Sequence, residues 1–245
     1  MIQIGPQLTI VIPCYNEEKN IPELVAKCEA ISNSIPVCFI LVNNGSRDDT
    51  GGVIAGLVGA SQRITAIYLK ENEGYGNGIL RGLENADTKY VGWSHADLQT
   101  DLNDLRNAFP ILNSYPDSEL FIKGKRSGRP ISDTFFTIGM SILESAIFRR
   151  KLWDINAQPT IFSKSMLASF TDAPKDFSLD LFSFIVARSN DFSVHRIPVK
   201  FHKRRHGVSS WNTSLASKWK FIKRTMKFTF ELRGKLRADN QTSSK

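Results

Sequence analysis

Tyr-Val-Gly-Trp-Ser-His-Ala-Asp-Leu-Gln-Thr-Asp, residues 90–101, begins apolar and ends in a row of polar side chains. The opening, Tyr90–Ser94, predicts a short buried strand. Beyond it His95, Asp97, Gln99 and Asp101 crowd nitrogen and oxygen atoms where such a strand leaves its sheet. In open α/β sheets ligands bind outside the carboxyl ends of the strands. Asp97 and Gln99 are two residues apart, so in an extended chain they point the same way and could share one hard cation. The plainer reading is a strand-to-helix turn with Thr100 or Asp101 as an N-cap.

Working outward, Leu8–Pro13, Val37–Val42 and Ile64–Leu69 are three further apolar, β-branched runs, each closed by a polar segment. Asn16 is placed to cap a helix from Glu17 to Ser32, and Leu80, Leu83 and Ala86 mark another helix. Alternating strands and helices predict an α/β fold with a mostly parallel sheet and right-handed crossovers. The polar ends of the first, second and fourth strands then open on one edge. Gly74-Tyr-Gly-Asn-Gly78 does not spell G-x-G-x-x-G and follows the third strand. It reads as a helix N-terminus offering amides, Gly76 among them, to a ligand.

The chain has 245 residues, 41% of them hydrophobic, enough for one large domain with a good core. A net charge of +8, with basic residues crowded toward the C-terminus, points to an anionic partner. No recognised nucleic-acid module accompanies the charge, so a membrane or phosphorylated substrate is favoured over nucleic acid. Cys14, Cys28 and Cys38 lack metal-type spacing and fit a reducing compartment. With no signal pattern and no spanning run, the expected place is cytoplasmic, peripheral on the inner face of a membrane.

Three segments together, Ile12-Pro-Cys-Tyr-Asn-Glu-Glu18, Asn44-Gly-Ser-Arg-Asp-Asp-Thr50 and Ala96-Asp-Leu-Gln99, resemble the family 2 glycosyltransferases of GT-A fold. Within that family the similarity is greatest to the dolichol- and polyprenyl-phosphate sugar synthases, over residues 8–212. The resemblance implies that Pro13, Tyr15 and Glu17 hold the base and ribose of a nucleotide-diphosphate sugar, with Asn44 and Ser46 nearby. Asn43 and Asn44 stand where relatives carry acids. The family's Asp-x-Asp becomes His95-Ala96-Asp97, so Asp97 with Gln99 is the expected Mg²⁺ or Mn²⁺ site, and His95 a hydrogen-bonding neighbour.

On the acceptor side the resemblance assigns phosphate binding to Arg126, with Arg129 in reserve. Asp154 and Gln158 fall beneath the donor sugar, and Arg204, Arg205 and Ser209 lie in a loop that closes on the diphosphate. Asp180 opens an apolar helix, where it could bind sugar hydroxyls, orient Arg126 or serve as a base. The implied reaction is a single inverting displacement onto a polyprenyl phosphate. The alternatives are transfer to a sugar hydroxyl of a surface glycan, which needs a base, and a non-catalytic binding module. Phe135–Phe148 reads as a core helix or a membrane-facing segment. Residues 213–245 form the expected second part, a basic amphipathic helix with Leu215, Trp219, Ile222, Met226 and Phe230 on its apolar stripe, widened by Phe221, Phe228 and Leu232. Lys223, Arg224 and Lys227 beside the stripe suit an anionic membrane surface, and the lack of spanning helices leaves room for a companion membrane protein.

Overall fold

The computed structural model describes residues 5–59, 61–115, 119–128, 131–202 and 222–234. Arg129, Arg204, Arg205, Ser209, Leu215, Trp219 and Phe221 lie outside the described residues. The chain divides into two units, Met1–Arg129 with Asn156–His206, and Pro130–Ile155 with Gly207–Lys245.

The first unit is built on a sheet of seven strands. They are β1 (Leu8–Cys14), β2 (Val37–Asn44), β3 (Ile64–Leu69), β4 (Tyr90–Trp93), β5 (Leu120–Ser127), β6 (Thr160–Ser163) and β7 (Ser193–Lys200). Their order is β3-β2-β1-β4-β6-β5-β7. β1, β2, β3 and β4 pair in parallel, as do β5 and β7, while β6 runs antiparallel between β4 and β5. The central strands are the apolar runs read from sequence: Ile10, Ile12, Val37, Leu41 and Val91 are fully buried. Strands covered on both faces lose alternation and become continuously apolar.

Helices α1 (Ile21–Ser32), α2 (Thr50–Val58) and α3 (Tyr75–Glu84) make the crossovers. A 3₁₀ segment, Leu102–Ala108, leads into α4 (Phe109–Ser114), and α6 (Leu179–Ser189) precedes β7. α1 buries Ile21, Leu24, Val25, Cys28 and Ile31 against the core, an i, i+3, i+4, i+7 pattern. It starts later than Asn16 predicts, because Pro22 occupies its first turn, where a missing N–H costs nothing. Asn16 instead has φ 55° and belongs to the loop before it. Asp101 is the N-cap of the 3₁₀ segment, accepting from the Asn103 amide at 3.0 Å. The plainer reading of that residue holds.

In the second unit, α5 spans Ile131–Phe148 and residues 222–234 form α7. α5 inverts the usual pattern: Ser141 and Glu144 are buried while Ile142 is 62% exposed and Leu143 42%. Burial pushes the Glu144 carboxyl up to about 7. Along α7 the buried line is Thr225, Thr229 and Leu232, and Phe230 stands 56% exposed. The predicted stripe is thus split, with Leu232 inward and Phe230 outward.

Candidate active site

Strand register brings the predicted segments together. Cys14 of β1 lies opposite Asn43 of β2, and Val11 opposite Trp93 of β4, so all three strands end on one edge. The loops following β1 and β2 are stitched to each other. The Asn16 amide donates to Ser46 Oγ at 3.1 Å, and the Arg47 amide donates to Asn16 Oδ1 at 2.9 Å. Glu17 N–H donates to Thr50 Oγ1 at 2.9 Å, and the Asp49 amide to Glu18 Oε2 at 3.1 Å. Burial alone would raise the Asp48 carboxyl. Hydrogen bonds from the Thr50 hydroxyl and amide and from the Glu18 amide outweigh that and hold it below the usual range. Tyr15 rises from this pair of loops 37% exposed, with Pro13 half-buried behind it.

Asn44 takes a different part from the one expected of it. It is buried, and its Nδ2 donates to the Gly74 carbonyl at 3.0 Å, so it anchors the start of α3. Its Oδ1 has no hydrogen-bond partner among the described residues. Asn43 closes its own turn, accepting from the Ser46 amide at 3.2 Å. Gly76 likewise faces protein. A Cβ there would come within 2.5 Å of the Pro174 carbonyl oxygen, and the Asn77 amide already donates to Lys175 at 3.0 Å. The glycines let the 174–176 backbone cross the helix N-terminus closely, which fills the place where ligand amides were expected.

Asp97 sits at the end of β4, buried, with Oδ1 accepting the Gln99 amide at 3.1 Å. Leu98 between them has φ 57°. The chain is therefore turned, not extended, and the premise that Asp97 and Gln99 point the same way fails. Gln99 is directed to the end of the sheet instead: its Nε2 donates to the His202 carbonyl at 3.2 Å, and the His202 amide returns a bond to the Gln99 carbonyl at 2.7 Å. Thr100 bridges Phe201 beside them. The Arg126 guanidinium lies over the Phe201 ring, 5.7 Å from its centroid, so this phosphate-binding candidate ends beside the same segment. Among the described residues no three His, Cys, Asp or Glu side chains cluster as a metal cage.

Asp180 is neither exposed nor unaccompanied. Its Oδ1 accepts from the Lys123 ammonium at 3.1 Å and from Gln158 Nε2 at 2.8 Å. Lys123 is wholly buried on β5 and also donates to Thr160 Oγ1 at 2.7 Å. Thr160 in turn donates to Gln158 Oε1 at 3.1 Å. Two charges removed from water survive only with geometry and hydrogen bonds of this completeness. Tyr75 joins the group: its hydroxyl lies 3.5 Å from Gln158 Nε2 and 3.3 Å from His95 Nε2, and its ring stacks on Phe177 at 4.5 Å. Burial first, then the carboxylates of Asp180 and Asp97, push this phenol well above its ordinary range. Lys123, Thr160 and Tyr75 are the residues that sequence reasoning passes over. Asp154 belongs to the second unit, where it is buried with φ 47°.

Sheet order, the antiparallel β6 and the polar edge beyond β1, β2 and β4 define a GT-A domain. The chain belongs to glycosyl transferase family 2, whose model matches residues 9–155. It is 32% identical over 103 residues to an undecaprenyl-phosphate 4-deoxy-4-formamido-L-arabinose transferase of Shewanella sediminis, covering 41% of this chain and 31% of that relative. The enzyme of that name from Pseudomonas paraeruginosa is 37% identical over 98 residues, 38% of this chain and 28% of its own length. The matched stretch is thus under a third of either relative. Among solved structures, glucosyl-3-phosphoglycerate synthase from Mycobacterium tuberculosis in complex with UDP has a TM-score of 0.73 at 16% identity, covering 94% of this chain and 81% of that one. The same synthase with Mn²⁺, UDP-glucose and phosphoglyceric acid gives 0.72 at 14% identity, over 94% and 80%. At these identities the likeness is one of fold.

Proposed function

We propose that this chain transfers a sugar from a nucleotide diphosphate to the phosphate of a polyprenyl phosphate, by one inverting displacement at a membrane surface. The observation that carries the acceptor class is the state of Asp180. It is the carboxylate that the sequence offers as a base, and it is bonded to Lys123 and Gln158 in the interior. A sugar hydroxyl must lose its proton to a base. A phosphomonoester, with a second pKa of about 6, reaches neutral pH already ionised and needs only positioning. The names of the two transferases above, which carry undecaprenyl phosphate, agree with this acceptor.

In this reading the stitched loops 13–18 and 43–50 receive the nucleoside, with the Tyr15 ring as the exposed aromatic face. Asp97 would hold Mg²⁺ or Mn²⁺ together with the diphosphate. A single buried carboxylate fits, because Mg²⁺ commonly keeps waters and substrate phosphates in place of a full protein cage. When bound, such an ion neutralises charge on the departing diphosphate. Gln99, committed to His202, is left out of the ligand set. Arg126 grips the acceptor phosphate, a task its planar fork suits.

The second unit supports the membrane part. It exposes Ile142, Leu143, Trp153 and Phe230, and also Arg149, Arg150, Lys151, Lys223, Arg224 and Lys227. Apolar side chains among basic ones suit an anionic interface. No helix among the described residues is long and apolar enough to cross a membrane.

The test is incubation of the protein with labelled nucleotide sugars, Mn²⁺ and undecaprenyl phosphate in detergent. A labelled lipid whose sugar is released by mild acid, as a glycosyl phosphate requires, is expected. Label appearing only in an acid-resistant glycoside of an added sugar would refute the phosphate acceptor.

A further inference from the structure

Gln158 can be oriented from its neighbours. Its amide nitrogen must face the Asp180 carboxylate, which only accepts, and its oxygen must face the Thr160 hydroxyl. The Lys123 ammonium, which only donates, holds Thr160 Oγ1 as an acceptor and so turns the Thr160 hydrogen toward Gln158. With one amide hydrogen on Asp180, the other is directed at the Tyr75 oxygen. Tyr75 then accepts from Gln158 and has one hydrogen to place; the Trp93 indole N–H beside it can only donate, so His95 Nε2 is the acceptor in reach. If His95 carried its proton on Nε2, it would be a further donor crowding the phenol oxygen beside Gln158 and Trp93, and the phenol hydrogen would have no acceptor. The phenol keeps that hydrogen, since burial and the two carboxylates oppose its ionisation.

We infer that Tyr75 is a positioning residue that holds His95 Nε2 as an acceptor, the Nδ1–H tautomer, so that His95 presents a hydrogen-bond donor to an oxygen of the nucleoside diphosphate. Rotamer and tautomer are both set from the buried Lys123–Asp180 pair, through Thr160, Gln158 and Tyr75. His95 Nε2 is thereby closed to a divalent ion, and no described residue accepts from its Nδ1. The ligand half of this inference rests on the donor-site reading given above; the tautomer half does not.

Long-range proton–nitrogen correlation spectra of ¹⁵N-histidine-labelled, ligand-free protein read the tautomer directly. The sequence has four histidines, and the spectrum of His95→Asn assigns the signal. A protonated Nδ1 and a bare Nε2 are expected; the opposite pattern overturns the inference. Tyr75→Phe should relax the ring toward the Nε2–H form, and an unchanged spectrum would remove Tyr75 from its role. Binding of UDP, GDP and dTDP then tests the direction of the donor. His95→Asn, whose amide reaches the place of Nδ1, should stay within about threefold of the wild-type Kd. His95→Gln, which reaches the place of Nε2, should weaken binding about threefold to tenfold, one neutral hydrogen bond. The reverse order would refute the donor role. Wild-type protein with the Nδ1–H tautomer but no affinity for any of the three would refute the donor-site reading instead.

Discussion

Replacing Lys123 by methionine keeps most of the side-chain volume on β5 and deletes the ammonium that lies 3.1 Å from Asp180. Asp180 would be left 2% exposed with the Gln158 amide as its remaining partner in that pair of bonds. Removing one member of a buried ion pair costs about 3–5 kcal/mol, because the other charge stays desolvated. With a urea m-value of about 3 kcal/mol/M, the unfolding midpoint should fall by roughly 1–1.7 M. Circular dichroism during urea titration measures it. The double variant Lys123→Met/Asp180→Leu removes both charges and should recover most of the loss, giving a coupling energy of several kcal/mol. A Lys123→Met midpoint within about 0.3 M of wild type would refute the buried pair, since that corresponds to less than a surface contact of about 1 kcal/mol. A double variant no better than the single would show that packing, not charge, holds the site.

Asp97→Asn should abolish the metal-dependent stabilisation by nucleotide. In wild type, nucleotide with Mn²⁺ at a hundredfold its Kd should add about 2.7 kcal/mol, seen as a thermal shift that EDTA removes. Asp48→Asn tests the loop stitching through pH. The folded-state value of Asp48 is lowered, so its contribution is present above the unfolded value of about 3.9 and is lost as pH falls through the folded one. The variant should lose no more than about 1 kcal/mol at pH 7, because Asp48 is only partly buried, and should converge with wild type in acid. A loss that persists unchanged below pH 3 would count against it. Lys223→Glu/Lys227→Glu should weaken sedimentation with vesicles containing phosphatidylserine by at least tenfold, taking about 1 kcal/mol per lost basic residue, and leave binding to neutral vesicles unaltered.

The parallel half of the sheet was legible because β1, β2 and β4 are covered strands whose whole length must be apolar, a signal that survives without an alignment, and the edge strand β3 keeps an apolar, β-branched run although Ile64 is its one buried residue. β6 was not read as a strand. It is four residues long and exists by pairing with β4 and β5, partners that lie far away in sequence. Asp97 could be picked out by its place after an apolar run. Its relation to Gln99 could not, since that depends on one left-handed residue, Leu98, which no composition rule marks. Lys123 was hidden for the opposite reason: a lysine normally marks the surface, and the carboxylate that makes it an interior residue lies 57 positions on. Tyr75 sat inside a glycine-rich stretch that drew attention to its backbone. In α5 the apolar content was legible, but which side would face solvent was not. That choice turns on Ser141 and Glu144, whose burial reverses the ordinary sorting.

The stitching of the first two strand-end loops has a consequence for how specificity at this edge can change. Amides of Asn16 and Glu17 find their acceptors in residues 46 and 50, while amides of Arg47 and Asp49 find theirs in Asn16 and Glu18. Neither loop carries its own complement of acceptors. A graft of residues 43–50 that lacks the Ser46 and Thr50 hydroxyls would strand the amides of its neighbour, and a graft of the first loop without Asn16 and Glu18 would do the same. The two segments, separated in sequence by a helix and a strand, therefore act as one structural module, and laboratory redesign has to transplant them together.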